Sequence, residues 1–171
     1  MLNFMYLQDV IALRKRSGTI SGGVYLNGWA QDPISFRRSS GYVEQFDVQS
    51  PELTVRETVL FSARLRLDQS VVKTDDEKLI FVDQILEDME LSDLQDVLVG
   101  TEDGIGLSFE QKKRLSIAVE LAASPSILFL DEPTSGLDAR SALLVVRLLR
   151  KITDSGRTCV ATVGVLSVCL I

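Results

Sequence analysis

The sequence predicts an α/β protein, and three observations support that fold class. An apolar run without alternation covers 126–130, which is typical of a strand that is buried on both faces of a parallel sheet. Two acidic residues, Asp131 and Glu132, follow this run directly, at the end of a strand where open α/β sheets bind their ligands. Helix, strand, helix and strand patterns then alternate through the C-terminal half, as crossovers between parallel strands require.

Three helices are predicted from one repeated signal, the capping box, in which Ser or Thr precedes Glu or Gln by three residues. The pairs are Thr54 with Glu57, Thr74 with Glu77, and Ser108 with Gln111. Apolar residues at helical spacing follow each pair. Asp138 predicts the N-cap of a fourth helix, which Gly156 ends.

The remaining strands are predicted from turn signals and short apolar runs. Two short strands are expected around Gly22-Gly23 within 18–28, closed by the turn Asn27-Gly28. Another strand is expected over 41–44, ending at Gln45. The last strand is expected over 158–163.

Composition excludes several classes of function. The chain has 171 residues, which favours one compact domain. Acidic residues outnumber basic ones 24 to 18, and the net charge of −6 repels phosphate backbones, so a nucleic-acid binder is disfavoured. With no histidine, serine triads and imidazole catalysis are excluded. The longest weakly polar run, 160–171, is shorter than the ~20 residues of a membrane span, so a cytosolic chain without a span is expected.

The acid pair is the first candidate site. Adjacent strand residues point to opposite faces, so Asp131 and Glu132 are predicted to have different tasks. One carboxylate can hold Mg²⁺, directly or through water, while the other polarises an attacking water. The alternative is a buried strand whose acids merely begin a solvated loop. The attached Pro-Thr-Ser-Gly-Leu-Asp segment favours the functional interpretation.

The second candidate is the stretch 107–115, a capped helix start with a basic cluster one turn later. A helix N-terminus offers N–H donors and a partial positive charge to an anion. Taken alone, the stretch is typical of an ordinary surface helix with a solvated basic face. Its position just upstream of the acidic strand favours a functional site.

Together these motifs resemble an ATP-binding-cassette (ABC) transporter nucleotide-binding domain. The stretch 107–111 resembles the signature motif of that family, and 128–138 its Walker B motif and D-loop. The stretch 41–45 matches the Q-loop, and 53–57 the helix after it. Ser-x-Glu-Gln-Lys-Lys-Arg-Leu, in place of the general Ser-Gly-Gly-Gln, resembles the second cassette of pleiotropic-drug-resistance (ABCG-type) transporters.

The resemblance implies a role for each candidate residue. Gln45 would sense Mg²⁺ and the attacking water, Asp131 would support the metal, and Glu132 would be the general base. The signature residues would contact the γ-phosphate of an ATP held mainly by a facing cassette, and Asp138 would communicate across that dimer interface. The implied nucleotide-binding residues are Ser108, Phe109, Glu110, Gln111 and Asp138. ATP and Mg²⁺ are the implied cofactors.

The implied fold is α/β, a P-loop NTPase-like ABC ATPase fold with a helical subdomain that lacks the Walker A strand and loop. One partial domain over 1–171 is expected. Its parts are a small β element with the Q-loop strand (18–45), a helical subdomain with the signature motif (46–123), the Walker B strand, D-loop and last strand (124–163), and an atypical apolar tail (164–171).

Two motifs of the family have no counterpart in the sequence. A P-loop, Gly-x-x-x-x-Gly-Lys-Ser/Thr, wraps the phosphates with backbone N–H groups and neutralises them with its lysine, and the sequence contains no Gly-Lys dipeptide. The stretch 8–12 resembles the end of the helix that follows that loop. The family places a switch histidine after its last strand, where Thr162-Val163 is here followed by Gly164.

The resemblance implies the ATP-hydrolysing cassette of a drug-efflux transporter that exports small amphipathic compounds. The expected partners are a second cassette and transmembrane segments, with this domain on the cytosolic face of the membrane. Hydrolysis by the chain alone is not expected. One alternative is a non-catalytic interaction fragment or gene-remnant product. Another is a chromosome-maintenance or DNA-repair ATPase, which the acidic charge and the lack of heptads between Gln45 and Ser108 disfavour.

Overall fold

A three-stranded parallel sheet forms the centre of the molecule, in a computed structural model that describes residues 2–15, 17–68, 72–101 and 105–163. Its strands are β3 (Ser40–Val43), β4 (Ile127–Leu130) and β5 (Thr158–Ala161), with β4 in the middle. The register pairs Val43 with Leu130, and Leu130 with Ala161. The predicted α/β class and parallel sheet are therefore confirmed, and the residues that follow the three strands meet at one edge.

Burial on both faces explains why β4 is a continuous apolar run. Leu128 and Leu130 are fully buried in the main core. Phe129 points to the other face, where its ring lies 6.1 Å from that of Phe36 and 6.3 Å from that of Tyr42, measured between centroids. Because successive strand residues alternate between faces, a strand covered on both sides needs an apolar residue at every position.

The predicted helices begin where the capping residues place them. All three capping boxes are present, at the starts of α3 (Val55–Arg66), α4 (Asp75–Asp88) and α5 (Phe109–Leu121). The Asp138 side chain caps α6 (Ala139–Asp154). Helix α3 packs against α4 and α5, and the fully buried residues of these three helices are Val55, Val59, Ala63, Val82, Leu86, Leu115, Ile117 and Ala118.

A carboxylate on α5 attaches the helices to the sheet. Glu120 accepts a hydrogen bond of 3.1 Å from the Tyr42 backbone N–H of β3, a donor that β4 does not take. The same carboxylate accepts two bonds from the Arg66 guanidinium on α3, of 2.7 and 2.8 Å. The pair is half-buried, and such a bidentate arrangement fixes orientation as well as distance. Strand β3 is thereby held against both α3 and α5.

The small antiparallel element differs from its prediction. Its strands, β1 (Tyr25–Leu26) and β2 (Trp29–Ala30), flank Asn27-Gly28, so the strands expected around Gly22-Gly23 are wrong. Asn27 and Gly28 have φ of 49° and 86°, and a two-residue type I′ hairpin turn needs positive φ at both central positions. The turn signal was correct, and the strands lie immediately beside it.

Two helices and a short turn complete the described chain. Helix α1 (Leu2–Ile11) agrees with the helix end expected over 8–12. Helix α2 (Pro33–Ser39) and a 3₁₀ turn (Ser92–Leu94) were not predicted. Strand β5 is two residues shorter than expected, and the tail over 164–171 lies outside the described residues. Among the described helices, none combines the length and apolar character that crossing a membrane requires.

Truncation of the core residue Leu115 is expected to destabilise the fold. Leu115 is fully buried between the helices and the sheet, so Leu115→Ala should lower the free energy of unfolding by about 2–5 kcal/mol through lost burial and a residual cavity. Chemical denaturation measures the change. The control is Leu65→Ala on α3, whose side chain is exposed and whose truncation should cost about 0.5 kcal/mol or less. Equal losses in the two variants would contradict the assigned core.

Candidate functional site

The site lies at the edge of the sheet where the three parallel strands end. Gln45, two residues after β3, extends its side chain toward the residues that follow β4. Its Nε2 donates a hydrogen bond of 3.0 Å to Glu132 Oε2 and one of 3.3 Å to Ser135 Oγ. The structure thus brings together two predicted catalytic residues that are 87 positions apart in the sequence.

A threonine after β5 holds the two acids apart. Thr162 Oγ1 donates to Asp131 Oδ1 at 2.8 Å and accepts from the Glu132 backbone N–H at 3.0 Å. Glu132 has a φ of 42°, a left-handed conformation that is uncommon for a residue other than glycine. Asp131 therefore stays beside β5, while the Glu132 carboxylate is directed toward Gln45.

The turn after the acid pair contacts the start of helix α5. Gly136 has a φ of 75°, and a Cβ placed there would come within 3.1 Å of Phe109 Cε1. The Phe109 ring therefore lies against the Gly136 backbone, and both the positive φ and the close approach favour glycine. This contact brings the predicted signature and D-loop segments together.

The start of α5 uses its polar side chains internally and leaves backbone donors open. Ser108 Oγ accepts from the Gln111 N–H at 3.2 Å, and Gln111 Oε1 accepts from the Ser108 N–H at 2.8 Å. Within the described chain, the N–H groups of Phe109 and Glu110 find no partner. These donors belong to the first turn, where a helix presents partial positive charge to an anion.

The side chain of Glu110 is engaged within the protein. Its carboxylate forms an ion pair with Arg114, one turn further along α5. The Arg114 guanidinium also donates to the carbonyls of Met89 and Glu90, at 2.9 and 2.6 Å. Glu110 therefore fixes Arg114 against the end of α4, and its backbone N–H is the group it can offer to a ligand.

Asp138 lies on the exposed loop between the acid pair and α6. Its Oδ1 accepts a bond of 2.7 Å from the Ser141 backbone N–H. That backbone bond, followed by the Ser141 side chain, lowers the pKa of Asp138, so the carboxylate is ionised at neutral pH. An anionic cap at a helix start also interacts favourably with the helix dipole.

Thr162, Ser135 and Lys113 contribute to this site although sequence reasoning missed them. A solvated basic face was the alternative interpretation of the 107–115 stretch, yet Lys113 is buried and its Nζ bonds the carbonyl of Gln45. The helical period gave a signal, because Lys113 precedes the buried Ile117 by four residues and so lies on the same face. Thr162 could have been found from the parallel register, which places it beside Asp131.

The donor atoms at this edge fit a magnesium ion carried by a nucleotide. Asp131 and Gln45 offer hard oxygen atoms, and Mg²⁺ is commonly bound by one or two carboxylates together with substrate phosphates and water. Within 2–15, 17–68, 72–101 and 105–163, no group of three or more His, Cys, Asp or Glu residues could hold a metal by itself. The chain therefore offers part of a coordination sphere, which phosphate oxygens can complete.

Comparison with known proteins assigns this arrangement to a family. The family model described as ABC transporter matches residues 9–135. ABC transporter G family member 35 of Arabidopsis thaliana is 55% identical over 157 residues, which cover 92% of this chain and 11% of the relative. ABC transporter G family member 38 of Oryza sativa subsp. japonica is 53% identical over 157 residues, covering 92% and 10%.

A relative from a third organism gives the same result. ABC transporter G family member 9 of Dictyostelium discoideum is 53% identical over 158 residues, covering 92% of this chain and 11% of the relative. The chain spans about a tenth of the length of the curated relatives it matches. It belongs to the ABC transporter family, as an ATP-binding domain similar to those of the G family members.

Proposed function

We propose that this chain supplies one half of a composite ATP site, which closes on a nucleotide held mainly by a facing cassette. The observation that carries the proposal is the exposed start of α5, where the Phe109 and Glu110 N–H groups have no partner in the described chain. These donors and the D-loop contact at Gly136 lie on the same exposed surface. Backbone N–H donors on such a surface can bond the terminal phosphate of an ATP that is bound to the facing cassette.

The acid edge, formed by Gln45, Asp131 and Glu132, is proposed to activate the attacking water of a nucleotide on this domain's own side of the interface. Glu132 is the general base, and the Gln45 amide orients its carboxylate through the 3.0 Å hydrogen bond. Asp131, held by Thr162, is directed toward the metal of Mg-ATP. When bound, Mg²⁺ would neutralise charge on the phosphates. Because phosphoryl transfer depends mainly on positioning and electrostatics, fixing these side chains is the contribution of this chain.

The residues that bind the triphosphate are proposed to come from the facing cassette. The sequence contains no Gly-Lys dipeptide, so it offers neither the glycine-rich loop nor the lysine that cradles the β- and γ-phosphates in P-loop proteins. The start of α5 over 108–111 and the adjoining turn at Gly136 form what we call the signature surface. The nucleotide that meets the signature surface is therefore proposed to be held by a partner that carries the glycine-rich loop. The alternative function, a non-catalytic interaction fragment, would use the same surface, but its binding would lead to no hydrolysis.

In the whole protein, this domain is proposed to couple ATP hydrolysis to the export of small amphipathic compounds from the cytosolic face of a membrane. The partners are a second cassette and transmembrane segments. The family and the relatives named above support this proposal, since all of them are ABC transporters.

An apolar groove beside the Q-loop is assigned to the transmembrane partner. It has a volume of about 310 Å³, and its lining includes Leu53, Phe61, Leu65 and Val119. Phe46 and Val48, in the loop that follows Gln45, add exposed apolar surface, with 70% and 94% of their area accessible. Exposed apolar patches mark interaction sites, and Gln49 and Ser50, which follow these two residues, also line the groove. A partner seated there would contact the same loop that carries Gln45.

The 171-residue chain alone is expected to bind Mg-ATP with a dissociation constant weaker than about 1 mM. The reason is that only part of the phosphate contacts can form without a P-loop. Isothermal titration calorimetry of the purified chain measures the affinity, and magnesium-free ATP serves as the control. Saturable micromolar binding without a partner would contradict the composite site.

A mixing experiment tests the signature surface. The chain is added to a G-family cassette that retains its P-loop but carries a defective signature motif, and ATP hydrolysis should be restored. Ser108→Ala should lower the restored rate about tenfold or more, through loss of a hydroxyl that can bond charged phosphate oxygens. Phosphate release measures the rate.

The matched control for that experiment is Thr74→Ala. Thr74 caps α4 through the same capping box, so its replacement costs a similar ~1 kcal/mol of stability while leaving the signature surface intact. The proposal predicts a restored rate close to that of the unsubstituted chain. Failure of the unsubstituted chain to restore hydrolysis, or equal losses with both variants, would contradict it.

A further inference from the structure

One ammonium group lies inside the protein beside the acid edge. Lys113, on the second turn of α5, is only 5% exposed, and lysine is almost never fully buried unless it is paired. Among the described residues, no carboxylate lies within the 4.0 Å of an ion pair with Lys113 Nζ. Its hydrogen bonds go to the backbone instead, to the carbonyls of Glu44 and Gln45.

The position of these carbonyls makes the contact specific. Glu44 and Gln45 are the first two residues after β3, and the bond to the Glu44 carbonyl measures 3.5 Å, with that to Gln45 being the closer one. Gln45 is therefore held at two points. Its carbonyl is bonded to α5, while its side-chain amide is bonded to Glu132 and Ser135.

The surrounding charges favour an ammonium at this point. Burial lowers the pKa of Lys113, and the negative charges of Asp131, Asp47 and Glu132 oppose that shift. A buried charge is retained at a net cost unless hydrogen bonds and opposite charges compensate it. Here both kinds of compensation come from the segments that form the acid edge. The hydrogen bonds to the Glu44 and Gln45 carbonyls are the geometric part of this compensation.

Resting on the proposed function, we propose that Lys113 is a positioning residue: by holding the Gln45 carbonyl, it fixes the Gln45 amide against Glu132 and so joins the signature helix to the general base. Gln45 is bonded on both sides of this connection: the Lys113 ammonium donates to its carbonyl, and its own side-chain amide donates to Glu132. A movement of α5 is thereby transmitted to the carboxylate that activates water.

The neighbouring lysine provides a matched control. Lys112 Nζ also bonds a backbone carbonyl, that of Gly100, at 3.0 Å. This bond fixes the loop before α5 and makes no contact with Gln45. Lys112→Met and Lys113→Met therefore remove the same kind of group from the same helix, and they differ in whether the Q-loop is released.

The first test follows Gln45 in the purified 171-residue chain, without nucleotide. Lys113→Met should speed hydrogen exchange of the Gln45 side-chain NH₂ about tenfold or more, because its bonds to Glu132 and Ser135 loosen once the Gln45 carbonyl is released. The Gln45 side-chain NH₂ resonances should move toward those of a solvated glutamine. Lys112→Met should leave both unchanged, and amides of β4 serve as the reference for an intact fold.

A second variant keeps the test decisive if Lys113→Met does not fold. Lys113→Gln retains a neutral donor that can reach one carbonyl, and it should give intermediate exchange of the Gln45 side-chain NH₂. Exchange rates and Gln45 resonances that match those of the unsubstituted chain in every folded Lys113 variant would overturn the proposal.

The mixing assay gives a second readout. In that assay the signature surface of this chain meets the ATP on the facing cassette, whose own acid edge serves that nucleotide, so Lys113→Met should lower the restored rate much less than Ser108→Ala does. A loss as large as that with Ser108→Ala would show a general effect on α5 and would contradict a positioning role at the acid edge. If the unsubstituted chain restores no hydrolysis, the proposed function fails, while the exchange measurement still decides whether Lys113 fixes Gln45.

Discussion

The parallel register of three short strands is the constraint on which the site depends. Val43, Leu130 and Ala161 lie side by side, so Gln45, the acid pair and Thr162 emerge at the same edge. A shift of one residue in any strand would reverse which side chains face the core. In β4 a shift would move Phe129 away from the face where its ring packs with Phe36 and Tyr42, so side-chain packing holds the register.

The site also depends on the attachment of α5 to that sheet. Glu120 near the end of the helix bonds β3 through the Tyr42 N–H, and Lys113 near its start bonds the residues just after β3. Helix α5, whose N-terminus carries the predicted signature motif, is therefore attached both to β3 and to the residues that follow it. The contact between Phe109 and Gly136 joins the start of α5 to the turn that follows the acid pair.

Local features of the fold could be predicted because their physical cause is local. A capping box involves two side chains three positions apart, so Thr54, Thr74 and Ser108 marked their helices correctly. Helix α2 was missed because its seven residues are too few for a clear period, although Asp32-Pro33 is a valid start signal. In the small β element, Gly22-Gly23 and Asn27-Gly28 both signalled turns, and only the second lies between paired strands.

Contacts between distant segments set the limit of prediction at the site. Gln45, Asp131 and Glu132 were found because their motifs are recognisable in the sequence. Their supports, Thr162 and Lys113, are ordinary residue types 31 and 68 positions from the groups they bond, so only the folded arrangement identifies them. Glu110 illustrates the opposite case, since its side chain is part of a recognised motif and yet pairs with Arg114.

The central claim, that this chain completes an ATP site formed mainly by a facing cassette, is tested most directly by photolabelling. An ATP analogue with a photoreactive group on its γ-phosphate is irradiated with the chain, with and without a P-loop-bearing cassette, and labelled residues are located by mass spectrometry. Label within 107–111 that appears only when the cassette is present is the predicted result. Equal labelling of that segment in the chain alone, or labelling confined to the cassette, would contradict the claim.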